Sequence, residues 1–511
     1  MTRYLMLCQI GPVQAFIAQA RRTQDLYVGS HLLSVLASAG VAAAQQSSAQ
    51  MLFPVSDAHG GDEVSAPHRF AFITEQPKIA AASVEKAVRG RWGQIADGVK
   101  GWLLDNIGGG QWESVFDRQA YNWLEFYWVA VEYDGSHGEA YGEVNRAMAQ
   151  RKNARHFVQI DEPGWKCTLT GAGQALPLDW DQVRKALDDR KAIIIRRNEA
   201  LGALALIKRL AITEGVLNAD TRGFHRTKFR STDNIAGLPD EEEGTGGKEV
   251  EGYFAVLQMD GDQMGAKLSA LTKPEQHRAF SQALAQFASQ DVPAIVRKYE
   301  RAELIYAGGD DVLALLPLRA VLACADEIRR AYADKLDKLA DKPTMSAGIA
   351  VVPSNYPLDI ALELARKAEK SAKDDYGRDA VVVTEAHGTQ QRIAGAKWEL
   401  GRDSIAALVS ELIQAFSKPA WLSAKIGYDL QEVTYALAAD SIPAEARRAE
   451  VTRLVKRRTE SFLKGKDAQT VIDELAPRLC AWGEAKNVGW ESLANWVILA
   501  RFLASGEKEQ S

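Results

Sequence analysis

IYAGGDDVLALL, residues 305–316, sets two glycines and two carboxylates between two apolar runs. The runs read as strands, and Gly308-Gly309-Asp310-Asp311 as the turn of a hairpin. An acidic surface turn is one reading; because adjacent carboxylates repel, a cation site is the other. The flanking sequence bears on the choice. YFAVLQMD (253–260) is an apolar run that ends in Asp260 and reads as a buried strand. A helical stretch follows from about Lys273 to Glu300, with Phe280, Leu284 and Phe287 at helical spacing, and leads into the hairpin. A second helix over roughly 319–336, a strand at TMSAGIAVV (344–352), a third helix from about Leu358 to Asp375 and AVVVT (380–384) complete the unit. The order is β-α-β-β-α-β plus an added strand, a ferredoxin-like palm.

In such a sheet we expect the first strand and the strand after the first helix at the centre, with the end of the first strand beside the hairpin turn. Asp260 ends that strand, and Asp262 follows Gly261, where the chain is free to turn sharply. Asp260, Asp262, Asp310 and Asp311 are thus expected to converge. Mg²⁺ or Mn²⁺ suits such oxygens and keeps positions open for substrate phosphates, and a pair of ions serves in-line displacement. Gly308 and Gly309 would open backbone N–H groups to a triphosphate. The inferred reaction is nucleotidyl transfer, with Asp310 and Asp311 catalytic. Lys367, Lys370 and Lys373 lie along the third helix and Arg378 follows Gly377; they form a solvated basic face or, for Lys373 and Arg378, a phosphate contact. In TRLVKRRTESFLKGK (452–466), Arg453, Lys456, Arg457, Arg458 and Lys464 face either an RNA backbone or solvent.

At 511 residues the chain is long enough for several domains. YLMLCQI (4–10), RFAFIT (69–74) and FYWVAVEYD (126–134), with a helical stretch over about 79–106, outline a second, less regular α+β unit. Residues 165–236 read as mainly helical, and everything from about 400 as a helical bundle. The expected class is α+β: two ferredoxin-like palms, a helical insert and a C-terminal bundle, divided at 1–164, 165–245, 246–395 and 396–511. GLPDEEEGTGGKEVEGY (237–253) reads as a linker; Glu242 and Glu249 exclude a P-loop there. A net charge of −5 advertises no nucleic acid globally. Cys8, Cys167, Cys324 and Cys480 are far apart and suit a reducing compartment. The apolar stretch LLSVLASAGVAAA (32–44) is too short to span a bilayer, so a buried helix, a cytoplasmic protein and no membrane partner are expected. Thr170 stands where a Cys-x-x-Cys knuckle from Cys167 needs cysteine, which argues against structural zinc. No histidine precedes an aspartate or stands close to another histidine in the chain.

IGPVQAFIAQARRTQDLYVGSHLLS (10–34), YFAVLQMDGDQMGAKL (253–268) and YAGGDDVLAL (306–315) resemble the large subunit of type III-B CRISPR effector complexes, the Cmr type. APHRFAF (66–72), RKNARHF (151–157), ALIKR (205–209) and GRDAVVV (377–383) support the resemblance, which extends over nearly the whole chain. It implies two facing palms, a zinc-bearing helical region and a C-terminal helical domain. It also implies that the second palm polymerises ATP into cyclic oligoadenylates when guide RNA pairs with target RNA. The implied partners are other Cmr subunits, guide RNA and target RNA. Carried over, Asp310 and Asp311 bind the catalytic metals, Asp260 adds a ligand, Gly308 and Gly309 shape the nucleotide pocket, and Gly29-Ser30 helps to hold the acceptor ATP. The chain begins directly at the first palm, so the His-Asp DNase activity of many members is not expected, and Cys167 alone represents the zinc ligands. Three alternatives stay open: joining AMP to S-adenosylmethionine, a silent RNA-binding scaffold, and a diguanylate cyclase. Against the last, Val312 replaces Phe after the acids.

Overall fold

A computed structural model describes residues 2–55, 67–154, 162–187, 195–213, 216, 229–238, 252–388, 390–417, 419–438, 442–459, 462–463 and 465–505. Most of the acidic linker, at 239–251, and Lys464 lie outside the described residues.

Four strands, β1 (Tyr4–Gly11), β2 (Gln50–Phe53), β3 (Arg69–Thr74) and β4 (Glu125–Glu132), form an antiparallel sheet in the order β2-β3-β1-β4. β1 is central and apolar on both faces, as a strand covered on both sides must be. Met6, Cys8 and Ile10 pack with the helices Thr23–Gln46 and Pro77–Ile107, while Leu5 and Leu7 pack with Tyr141 and Val144 of the helix His137–Asn153. By length and composition the helix Thr23–Gln46 could cross a membrane, yet 67% of its most apolar window is buried in protein.

The second sheet contains β5 (Tyr253–Gly261), β6 (Glu303–Gly308), β7 (Asp311–Pro317), β8 (Met345–Pro353), β9 (Ala380–His387) and β10 (Gln390–Lys397), in the order β10-β9-β8-β5-β7-β6. Only the β8–β9 pairing in this sheet is parallel. Two expectations change here. The strand beside β5 is β7, the second arm of the hairpin, whereas β6, the strand after the first helix, lies at the edge. The sheet also continues past β9 into β10, whose Gln390-Gln391-Arg392 start hides the strand from a hydropathy reading.

The two faces of this sheet bury different partners. Phe254, Val256, Leu313 and Leu315 join the core of the first sheet's helices, and Ala255, Leu257 and Met259 join the core of the C-terminal helices. Each fully buried Leu or Val here contributes about 1.5–3 kcal/mol relative to exposure. The C-terminal bundle comprises Ile405–Phe416, Ile426–Ala438, Ala444–Thr459, Gly465–Glu484 and Gly489–Ser505, behind a small ribbon of Glu399–Leu400 and Asp403–Ser404. Among the described residues of the stretch 165–236, the helices are Trp180–Leu187, Ala203–Leu210 and Thr232–Ala236, and a Lys166–Gln174 bridge closes a turn around Cys167.

Candidate active site

The register of β5 on β7 ends with Met259 opposite Val312, which leaves Asp260 and Gly261 level with the hairpin turn. The Gly261 N–H donates to the Asp310 carbonyl at 3.2 Å, stitching the turn to the strand end. A Cβ on Gly261 would stand 2.8 Å from the Asp310 Cβ and 2.5 Å from the Tyr332 hydroxyl, so the close approach requires glycine. Gly308 pairs with Asp311, and between them Gly309 takes φ +72° while Asp310 stays at negative φ. That is a two-residue type II′ turn, whose first central position calls for glycine.

Asp260, Asp310 and Asp311 are brought together at this rim. Burial, and then the Asp260 charge, push Asp310 up to about 7. Burial, then Asp260 and Asp310, raise Asp311 well above the carboxylate range. Burial also raises Asp260, against the pull of Lys373, whose ammonium bridges Asp260 and Glu369, the latter at 2.5 Å. Gln258, two residues before Asp260 and so on the same face of β5, donates its amide to Asp311 Oδ1 at 2.6 Å. The acids therefore repel one another with few protein donors to offset them. Among the described residues, however, no three such side chains already stand as a preformed metal cage, because Lys373 and Gln258 hold two of the carboxylates.

Asp262 departs from its expected place with the other three acids. It is 2% exposed, and its carboxylate accepts from Thr344 Oγ1 at 2.8 Å, Ser346 Oγ at 2.7 Å and the Asp379 N–H at 3.0 Å. With about four acceptor positions on a carboxylate, most are used in joining β5 to β8 and β9.

A concavity of about 380 Å³ opens beside the acids, lined by Gln14, Gln258, Asp260, Asp311, Arg366, Glu369, Lys370, Lys373 and Asp374. The helix Leu358–Asp374 supplies the basic side chains at three- and four-residue spacing. Arg378 does not line it; the residue sits at positive φ in the turn before β9, where its carbonyl accepts from Lys397. Gly29 and Ser30 are buried within Thr23–Gln46, and a Cβ on Gly29 would lie 3.2 Å from the Lys208 ammonium nitrogen. Arg453 pairs with Glu450 at 2.7 Å, and Lys456 and Arg457 are exposed on the helix Ala444–Thr459, also away from the concavity. Gln258, Glu369, Arg366 and Gln14 escaped the sequence reading. Two had local signals: Gln258 by its period of two from Asp260, and Glu369 as the i−4 partner of Lys373.

Comparison with known proteins bears on both sheets. The profile described as Cas10/Cmr2, second palm domain, matches residues 253–382, and that of CRISPR-associated protein Cmr2, N-terminal, matches residues 5–97. The CRISPR system Cmr subunit Cmr2 of Pyrococcus furiosus is 35% identical over an alignment of 159 residues that covers 26% of this chain and 18% of that protein. In fold, the chain resembles a chain of the type III-B Cmr-beta complex bound to cognate target RNA, with a TM-score of 0.71 at 14% identity, covering 99% of this chain and 83% of that one. A chain of a Csm1–Csm4 cassette in complex with cA4 follows at TM-score 0.53 and 13% identity, covering 98% and 70%. The Cmr2 profiles thus match the N-terminal region of the chain and most of its second sheet, while the solved structures, all under 25% identical, share its fold.

Proposed function

We propose that this chain is the large subunit of a type III-B CRISPR effector complex and a target-RNA-activated nucleotidyl transferase that makes cyclic oligoadenylates from ATP. Its partners on this reading are other Cmr subunits, guide RNA and target RNA, in the cytoplasm. Both sheets are ferredoxin-like palms, with boundaries at 164, 245 and 395. The observation that carries the reading is the meeting of three mutually repelling acids, Asp260, Asp310 and Asp311, beside a concavity that Asp260 and Asp311 line together with Arg366, Lys370 and Lys373.

The acids fit a hard divalent cation, because mutual repulsion and burial leave them short of positive charge. Asp260, Asp310 and Asp311 would hold Mg²⁺ or Mn²⁺, which when bound supplies charge compensation for attack and for pyrophosphate departure. Arg366 and Lys370 bind and orient the triphosphate as neighbouring cations on one helix. Lys373 holds Asp260 and Glu369 in place, which makes it a weaker phosphate contact than its position in the sequence implied. Gly309 presents open space above the turn, where a phosphate approaches backbone without a side chain in the way. Asp262 is a structural anchor on this reading. The test is the complex assembled with guide and cognate RNA, ATP and Mg²⁺, with products identified by mass spectrometry. Wild type should form cyclic oligoadenylate and Asp310→Ala/Asp311→Ala none; equal silence with intact RNA binding would favour the scaffold.

A further inference from the structure

Among the described residues lining the concavity, Gln14 alone comes from the first sheet's half of the molecule. It opens the helix Gln14–Ala18, which follows β1 and has no side-chain cap. Five residues are too few to hold a helix by themselves, so something else must fix where Gln14 stands.

That support comes from the insert. Lys208, on the helix Ala203–Leu210, donates its ammonium to the carbonyl of Phe16 and to that of Gln19 at 3.1 Å. The ammonium also stands 4.2 Å from the Phe16 ring centre, and Phe16 stacks on Trp123 at 4.2 Å. Lys208 is 2% exposed, and burial draws it down to about 7. Asp25, the nearest acid, is committed to Arg209 through a pairing that includes a 2.9 Å contact. An ammonium buried among carbonyls carries a large desolvation cost, and the sequence accommodates it with Gly29, where a Cβ would crowd the amine.

We propose that Gln14 is a nucleotide-contacting residue that the first sheet's half supplies to the second, and that Lys208 is the positioning residue that holds it there. An uncharged amide with two N–H donors and one carbonyl acceptor suits the base edge or ribose of a nucleotide, while the phosphates lie with Arg366 and Lys370. The inference rests on the nucleotidyl-transfer reading and extends it to the half of the site that the acids do not build. It also makes Gly29 a spacer for Lys208 rather than a contact to nucleotide.

The test uses the assembled, target-RNA-bound complex with Gln14→Ala, Lys208→Met and the double variant. Binding of a fluorescent ATP analogue is measured alongside the KM and kcat of ATP turnover. Losing one substrate hydrogen bond should raise KM about tenfold for Gln14→Ala. Lys208→Met should match it, and the double variant should fall less than about twofold below the worse single, because one residue acts through the other. Wild-type kinetics in Gln14→Ala would overturn the proposal. So would multiplied defects in the double variant, the outcome if Lys208 only stabilises the fold. Gln14 is exposed, so its variant should fold whatever Lys208→Met does. A silent wild type whose analogue binding still falls with Gln14→Ala would instead sink the nucleotidyl-transfer reading and keep the contact.

Discussion

Lowering the pH from 7 to 5 should loosen the contact between the two halves of the molecule at one buried pair of imidazoles. His137 begins the helix His137–Asn153 and His277 lies on the helix Pro274–Gln286; their Nε2 and Nδ1 atoms are 3.2 Å apart. Each is 1% exposed, Phe53 stacks on His277 at 5.5 Å, and the Tyr133 hydroxyl is 3.3 Å from His137 Nδ1. Burial, and then His137, push His277 down to about 3, and burial lowers His137 as well, opposed by Glu275. A base whose folded value lies below its ordinary one of 6.5 contributes stability that is complete above 6.5 and lost as pH falls toward 3. With those two values for His277 alone, the contact weakens by about 2 kcal/mol between pH 7 and pH 5, roughly 25-fold in its opening equilibrium. Hydrogen exchange of the helix Pro274–Gln286, corrected for intrinsic rates, reads that equilibrium locally. Wild type should lose about 25-fold in protection, whereas His277→Leu, which keeps an apolar contact with Phe53, should lose less than about threefold. Equal losses in the two proteins would refute the assignment.

Mn²⁺ affinity, followed by electron paramagnetic resonance, should keep climbing as pH rises through about 7, because Asp310 and Asp311, both held above the usual carboxylate range, must lose their protons to bind the ion. Asp262→Asn should lower the melting temperature through a loss of about 1–3 kcal/mol of buried hydrogen bonding. It should leave Mn²⁺ affinity within about threefold of wild type, whereas Asp260→Asn should cost about tenfold or more. Gly261→Ala should abolish product formation and cost about 1–3 kcal/mol of overpacking against Asp310 and Tyr332; a variant of full activity would contradict the close approach. Lys456→Glu/Arg457→Glu should weaken RNA binding and flatten its salt dependence by up to about two units if that helix faces RNA, and leave both unchanged if it faces solvent.

The alternating and continuous apolar runs around residues 253–384 and the Gly-Gly-Asp-Asp turn were legible from the chain itself. Strand propensity, buried-face patterning and the positive φ of Gly309 are local demands that a few neighbouring residues express. The helices Val321–Leu336 and Leu358–Asp374 were visible for the same reason. What lay beyond the sequence depends on register and on side chains far apart in the chain. The hairpin arm that pairs with β5 is settled by which face each strand buries, against the first sheet's helices or the C-terminal bundle. Asp260 and Asp262 look alike in the chain, but only tertiary pairing sets Thr344 and Ser346 around one and Lys373 beside the other. Lys208, His137 and His277 read as unremarkable polar residues until folding removes water from around them. Removing water is what gives a polar contact its weight, and which groups lose it is a property of the packed molecule, not of any one stretch.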